Sequence, residues 1–181
     1  MKKQPEITAK TKKAFMDAFC DLYCQKPIEK ITIQEITNKA GYNRSSFYQH
    51  FRDVYDLLDC LEKEVLDFIL QQQHSKGSVH EIFAVFDEKG FYLNALSALF
   101  GDYSGNRFLE KVKASIPFES LKLNISKDNP MFPYLMEFHL STTLSLLRLW
   151  YHRQKDMSLE DVLNLILRLY TGGISAINRQ S

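Results

Sequence analysis

Cysteine is scarce in this sequence, and long uninterrupted apolar runs are missing. The three cysteines, Cys20, Cys24 and Cys60, are an odd number without a CxxC pair, so we interpret them as reduced core or surface thiols rather than ligands or redox partners. The apolar stretch 144–151 is interrupted by Arg148, and a membrane-spanning helix needs about 18 apolar residues in a row. These absences exclude a disulfide-stapled domain and an integral membrane protein.

Signatures of enzymes and metal sites are also missing. The sequence has no G-x-S-x-G, no P-loop, no H-E-x-x-H and no suggestive Cys–His pair. His80, His139 and His152 have no partner at a recognised metal-ligand spacing. We therefore expect no catalytic residues, no metal and no cofactor. An enzyme would require polar groups gathered inside the C-terminal part, which the sequence does not reveal.

Charge is distributed unevenly along the chain. Residues 1–55 carry ten Lys and Arg against six Asp and Glu, whereas residues 56–181 carry thirteen against sixteen. A basic N-terminal unit beside a mildly acidic remainder is typical of a nucleic-acid-binding module attached to a larger body, although chance alone could produce this difference. Residues 1–13 are basic and polar and do not resemble a secretory signal, so we expect a cytoplasmic protein.

Helical periodicity predicts an all-α protein, because apolar residues recur at spacings of three and four and no alternating strand is found. The first helix is predicted over Thr8–Gln25, with Pro27 after it. A capping box at Thr32 and Glu35 begins the second helix, and Gly41 ends it. The later helices are predicted at 44–50, from 53 to about 74, and at 79–88, 92–100, 107–122, 130–154 and 158–178, which makes about nine in all.

The second and third helices form the most informative segment, residues 32–51. Two short helices separated by a turn with Gly are typical of a helix-turn-helix, whose second helix enters the DNA major groove. The predicted third helix is rich in hydrogen-bonding side chains, while Phe47 and Phe51, four residues apart, can anchor it to Ile36 and the first helix. A helical hairpin without a DNA role is the alternative interpretation.

This segment resembles the helix-turn-helix of the TetR family of transcriptional regulators. The matching positions are Thr32, Ile36–Thr37, Ala40–Gly41, Asn43 to Ser46, Phe47, Tyr48-Gln49-His50-Phe51 and Leu57–Leu58. Two positions depart from the usual pattern: Thr37 stands where Ala is usual, and Val54 where a Lys often meets a phosphate. The loss of that cation removes one potential phosphate contact.

The resemblance implies an N-terminal three-helix DNA-binding domain (1–52), joined by a long helix to a ligand-binding and dimerisation domain (53–181). It assigns phosphate contacts to Tyr48 and His50, and Lys39 is available for another. Contacts with base edges are assigned to the hydrogen-bonding side chains of the third helix, because Arg can pair with guanine and Gln with adenine. The complete set of candidate DNA-binding residues is Thr32, Lys39, Tyr42, Asn43, Arg44, Ser45, Ser46, Tyr48, Gln49 and His50.

The C-terminal part is rich in aromatic residues, and in the resembled family such helices enclose a pocket for a small effector. We predict an apolar or aromatic effector among Phe86, Phe100, Phe108 and Phe138, with ordinary core packing as the alternative. Phe138, Trp150 and the segment 158–161 are distantly similar to a TetR branch that includes regulators of dihydroxyacetone kinase operons.

The last two predicted helices are apolar on nearly all sides, and such a helix must be covered on both sides. We therefore predict a two-fold symmetric homodimer. Its interface residues are Leu146, Leu149, Trp150, Leu163, Ile166, Leu167 and Tyr170.

These features predict a repressor that binds a palindromic duplex DNA operator as a homodimer and responds to a small molecule. Val54 keeps a second hypothesis open, namely a TetR-like co-regulator that acts mainly through protein contacts.

Overall fold

The computed structural model describes residues 5–75, 90–115 and 128–172, and within these ranges it contains helices and no strand. The elements are α1 (Pro5–Tyr23), a 3-10 turn (Ile28–Lys30), α2 (Ile33–Ala40), α3 (Arg44–Tyr48), α4 (Val54–Ser75), α5 (Gly90–Leu99), α6 (Arg107–Ser115), α7 (Phe132–His152) and α8 (Leu159–Gly172). The all-α prediction is confirmed. Among these helices none is long and apolar enough to cross a membrane. Three predicted segments lie outside the described residues. They are the helix 79–88, which contains Phe86, and the C-terminal ends of the predicted helices 107–122 and 158–178, namely 116–122 and 173–178.

Local capping signals fix the ends of the N-terminal helices. Both halves of the predicted capping box are present at α2, where Thr32 Oγ1 accepts from the Glu35 N–H at 3.2 Å and the Glu35 carboxylate accepts from the Thr32 N–H at 3.0 Å. Gly41 ends α2 with φ of 74°, a left-handed conformation that costs a glycine little. The Asn43 side chain caps α3, which ends at Tyr48, two residues before the predicted end.

The three N-terminal helices share a core built around Phe15 of α1. Its ring lies 5.5 Å from that of Phe47 and 6.4 Å from that of Phe51, and all three side chains are buried. Such edge-to-face aromatic contacts add to the free energy of apolar burial. These contacts hold α3 against α1, so the opposite face of α3 is turned outward. Val54 is also buried, so this departure from the family pattern belongs to the core.

The same core continues beyond residue 52 into the rest of the chain. One cluster of buried residues joins α1, α2 and α3 to α4, α5, α6 and Leu144 of α7. Among the described helices, the most extensive contact is between α1 and α5. The division into 1–52 and 53–181 stays a prediction, and the two parts are packed together.

A second core lies between α7 and α8. Leu147 and Trp150 of α7 are buried there against three residues of α8, namely Val162, Leu163 and Ile166. The turn between the helices is tied to this core because the Trp150 indole N–H donates to the Met157 carbonyl at 2.8 Å. Ser158 caps α8 by accepting from the Asp161 N–H at 3.1 Å.

Candidate nucleic-acid interface

The outward face of α3 carries the side chains expected to bind DNA. Arg44, Ser45 and Gln49 are exposed, and Tyr48 is 53% exposed, whereas Phe47 is buried beneath them. Arg44 has no ion-pair partner among the described residues, so its guanidinium is available to a ligand. The helix thus has one anchored face and one polar face, as a helix that enters the major groove requires.

The polar residues at the start of α3 are already ordered by hydrogen bonds. Asn43 Oδ1 accepts from the Ser45 hydroxyl at 2.7 Å and from the Ser46 N–H at 2.8 Å. The Asn43 carbonyl oxygen is therefore committed to capping the helix. Its NH2 group and the Ser45 oxygen lone pairs are the parts left for contacts outside the protein.

Tyr42 and His50 lie at the two ends of α3 and both approach Phe15. The ring centroid of Tyr42 is 5.4 Å, and that of His50 6.1 Å, from the centroid of Phe15. Both side chains are half-buried. Contact with the core restricts their conformations, so any contact with DNA would be made by side chains that are already positioned.

Thr32 acts in this structure as the cap of α2. Its hydroxyl donates to the Glu35 carboxylate at 2.8 Å, and Lys26 Nζ lies 2.5 Å from the same carboxyl group. Hydrogen bonds from Lys26, and then from the Thr32 N–H and hydroxyl, lower the pKa of Glu35 to about 2. The geometry supports a structural role for Thr32, and its predicted contact with DNA stays a prediction.

We call α3 the recognition helix. Two cationic side chains near it are paired with carboxylates. Lys39 Nζ lies 3.0 Å from Asp21 Oδ2, and Arg52 Nη2 lies 3.2 Å from Asp56 Oδ1. The pKa of Asp56 is lowered, chiefly because its carboxylate accepts a hydrogen bond from the Arg52 N–H. Sequence reasoning missed both acidic partners. The spacing of four residues could have indicated Asp56 as the partner of Arg52, whereas Asp21 and Lys39 are brought together only by the packing of α1 on α2.

The phenylalanines predicted to line an effector pocket differ in burial among the described residues. The rings of Phe100 and Phe108 are buried with their centroids 5.7 Å apart, whereas Phe138 is 59% exposed and packs edge-on against Tyr170 of α8. α7 turns the Phe138 side chain outward, and its place in an effector pocket stays a prediction. Phe86 lies outside the described residues.

Open clefts lie elsewhere on the described part of the chain. One, of about 410 Å³, lies between α1, α4 and α5, and its wall includes Lys12, Lys63, Glu64 and Asp67. Another, about 340 Å³, lies at the turn between α7 and α8 beside Leu149 and Met157. Neither is the aromatic pocket that was predicted.

The described residues also contain no group of three His, Cys, Asp or Glu that could hold a metal ion. His152 Nδ1 instead lies 3.3 Å from Asp102 Oδ1. The ring of His139 packs 4.3 Å from that of Tyr170, and burial lowers the pKa of this histidine.

The predicted dimer residues divide into two groups. Trp150, Leu163 and Ile166 are buried in the core of the chain itself and cannot form an outer surface, so their assignment to the interface is corrected. Leu149 and Leu167 are 52% and 60% exposed, and Leu146 and Tyr170 are half-buried. Four further exposed apolar residues were not predicted as interface residues, namely Met131 just before α7 and Tyr134, Leu135 and Phe138 near its start.

Comparisons with known proteins agree with this geometry. A helix-turn-helix with a buried anchor and an exposed polar face is typical of DNA-binding proteins, and residues 15–60 match the family described as bacterial regulatory proteins, tetR family. That match spans about a quarter of the chain, so this part of the protein is similar to the N-terminal domain of the TetR family of transcriptional regulators. The whole fold is similar to a crystal structure described as a TetR transcriptional regulator from Streptococcus agalactiae 2603V, with 24% identity, a TM-score of 0.63, and coverage of 90% of this chain and 94% of that one. The similarity to the dihydroxyacetone kinase regulator branch stays a prediction.

Proposed function

We propose that this protein is a cytoplasmic repressor that binds a palindromic operator as a homodimer. The observation that carries the DNA-binding part is the recognition helix with its C-cap Gln49, where Arg44, Ser45, Tyr48 and Gln49 are exposed and Phe47 is buried. Arg can bond guanine at two atoms and Gln can do the same with adenine, so this face suits sequence-specific contacts. Tyr48 and His50 suit the phosphates that flank them.

The homodimer is supported by an apolar line on the outer side of α7. Leu135 and Phe138 are exposed on this helix, and Leu149 follows Phe138 by 11 residues, which is about three turns and therefore the same face. Leu167 of α8 adds to this surface one turn before Tyr170, whose ring contacts Phe138. Exposed apolar residues that share a face favour burial against a partner.

A second copy of the chain is the partner we propose for this surface. Pairing α7 and α8 with their symmetry mates would form an isologous interface of four helices. It would also hold two recognition helices for successive major grooves, which lie about 34–36 Å apart on duplex DNA. A palindromic operator follows from this two-fold symmetry.

A response to a small apolar or aromatic effector belongs to the same proposal. It rests on the resemblance to the family, and an occupant among Phe100 and Phe108 would have to displace their present contact. Denaturation midpoints measured with a panel of apolar and aromatic compounds would reveal such a ligand, because a molecule that binds only the folded state raises the midpoint.

Selection from a pool of random duplex DNA at low salt tests the proposal. We expect enrichment of a palindromic site, bound with an affinity that falls steeply as salt increases, because phosphate contacts release counterions. Arg44→Ala should lose most of the preference for the enriched site.

The co-regulator that acts through protein contacts is the second candidate. It is favoured by Val54, whose burial leaves α4 without the cation usual at this position. Failure of the selection to enrich any motif, with a folded dimeric protein, would replace the repressor with this candidate.

A further inference from the structure

The carboxylate of Asp21 connects the helix-turn-helix to the body of the protein. Asp21 lies near the end of α1, and its Oδ2 is 3.0 Å from the Nζ of Lys39 in the last turn of α2. Its Oδ1 accepts a hydrogen bond from the Asn94 side chain of α5 at 3.1 Å. One carboxylate therefore binds a cation of the helix-turn-helix on one side and an amide of the body on the other.

A DNA phosphate would compete with Asp21 for the ammonium group of Lys39. It belongs to α2, five residues before Arg44 on the recognition helix, and it is among the candidate phosphate contacts. The side chains of Lys39 and Asp21 are about half exposed, at 40% and 44%, so the pair is open to the solvent and to a ligand. An exposed pair of this kind is weak enough to open, because water and salt screen it.

We propose that Asp21 holds the Lys39 ammonium away from the DNA backbone in the free protein, and that Asn94 controls how firmly it does so. The Asn94 amide fixes the Asp21 carboxylate with a charge-assisted bond, which keeps Oδ2 directed at Lys39. A shift of α5 that removes this bond would loosen the carboxylate and release Lys39. Asp21 is thus a positioning residue through which the body modulates the affinity of the helix-turn-helix for DNA.

Salt dependence separates this competition from a general effect of charge. A Lys that contacts a phosphate releases a DNA counterion and steepens the plot of log K against log salt by about 0.9. In the wild type, Asp21 loses its partner at the same moment and attracts a cation from solution, so most of the gain is cancelled. The Asp21→Asn variant has no such compensation, and we expect a plot steeper by about 0.9.

The experiment measures binding of a fluorescein-labelled duplex, carrying the site enriched by selection, over a series of potassium chloride concentrations. We expect Asp21→Asn to bind about fivefold more tightly at low salt, in line with the strength of an exposed ion pair. Asn94→Ala should shift affinity in the same direction by a smaller factor. In the double variant the two effects on affinity should not be additive, because Asn94 acts through Asp21.

The decisive test repeats the Asp21→Asn measurement in a protein that also carries Lys39→Gln. Combined with Lys39→Gln, Asp21→Asn should leave the salt slope unchanged, because the competing ammonium is gone. Asp17→Asn, which removes a carboxylate one turn earlier on α1, is the control for the general loss of negative charge. Circular dichroism and mass by light scattering confirm that each variant keeps the fold and the oligomeric state.

The inference rests on the proposed function, and the two can fail separately. Absence of binding by the wild type to any duplex would overturn the proposed function. Binding by the wild type with an Asp21→Asn effect that persists in the Lys39→Gln background, or that equals the effect of Asp17→Asn, would overturn the inference alone.

Discussion

The carboxylate of Glu62 on α4 is almost completely buried, with a side-chain exposure of 2%, and Arg107 Nη2 at the start of α6 lies 3.1 Å from it. Lys111, one turn further along α6, also pairs with Glu62, and both cations contact the exposed Asp59. Two cations on one helix therefore neutralise two carboxylates on another. This network joins α4, the helix that follows the recognition helix, to α6.

Replacement of Arg107 by Leu should destabilise the protein measurably. It removes one of two cations from a buried carboxylate, and an ionised acceptor left incompletely paired costs about 1–3 kcal/mol. Urea denaturation followed by circular dichroism measures this difference. The matched control is Arg153→Leu, because the pair of Arg153 with Asp156 is exposed at the surface and should contribute little. Equal losses in the two variants would show that Glu62 does not depend on Arg107.

The capping box of α2 should make part of the stability dependent on pH. The pKa of Glu35 is lowered to about 2 in the folded protein, so its ionised form is stabilised by folding. Its contribution is fully present above the pKa of the unfolded chain, about 4.3, and is lost as pH falls towards 2. We expect Glu35→Gln to lower the midpoint of thermal unfolding at pH 7, with a gap to the wild type that narrows below about pH 4.

Glu160→Gln serves as the control for that measurement. Glu160 is also an acidic residue in the first turn of a helix, but there the Asp161 carboxylate accepts from the hydroxyl of the cap residue Ser158, at 2.6 Å. A gap for Glu35→Gln that stays constant from pH 7 to pH 3 would contradict the assigned role of the carboxylate.

Variants of the recognition helix should separate base contacts from phosphate contacts. Arg44→Ala should cost about 1–3 kcal/mol on the selected site and much less on unrelated duplex DNA, because the guanidinium is assigned to a base edge. Tyr48→Phe removes one hydroxyl from a side chain that is already exposed, and should weaken binding to both duplexes alike. Fluorescence anisotropy with the two duplexes distinguishes these patterns. A uniform loss for Arg44→Ala would move this residue to the backbone contacts.

The exposed position of Leu167 allows a clean test of the dimer. Leu167→Glu places a charge on the proposed interface without disturbing the core of the chain, so the monomer should remain folded while the dimer dissociates. Light scattering should show the mass fall towards the monomer value of 21.1 kDa, and operator binding should be lost.

Tyr103→Glu makes a similar change at another exposed large residue, on the loop before α6, and should keep the dimer. A wild-type protein that already has the monomer mass at micromolar concentration would contradict the proposed interface.

Local signals in the sequence predicted much of the helix-turn-helix. The Thr32 and Asn43 caps and the left-handed Gly41 depend on residues within a few positions of one another, so the sequence pattern determines them almost directly. The burial of Phe47 follows in the same way from its spacing to Phe51.

The outer surface of the body was harder to predict because it depends on contacts distant in sequence. α7 and α8 are apolar on most sides, so the sequence does not reveal that Trp150 and Ile166 face inward while Phe138 and Leu167 face outward. The direction is decided by the packing of one helix on the other. The pairing of Lys39 with Asp21 has the same origin, since nothing local relates the two residues.

Trp150 is the single tryptophan of the chain, and its position gives the protein an intrinsic spectroscopic reporter. It is buried in the small core between α7 and α8, with its indole N–H bonded to Met157, while the aromatic residues around Phe15 are phenylalanine, tyrosine and histidine. Tryptophan emission therefore follows that small core, and far-ultraviolet circular dichroism follows every helix. Coincident denaturation curves from the two signals would mean that the small core unfolds together with the continuous core across residue 52, and Tyr151, which packs against both, is the contact expected to couple them.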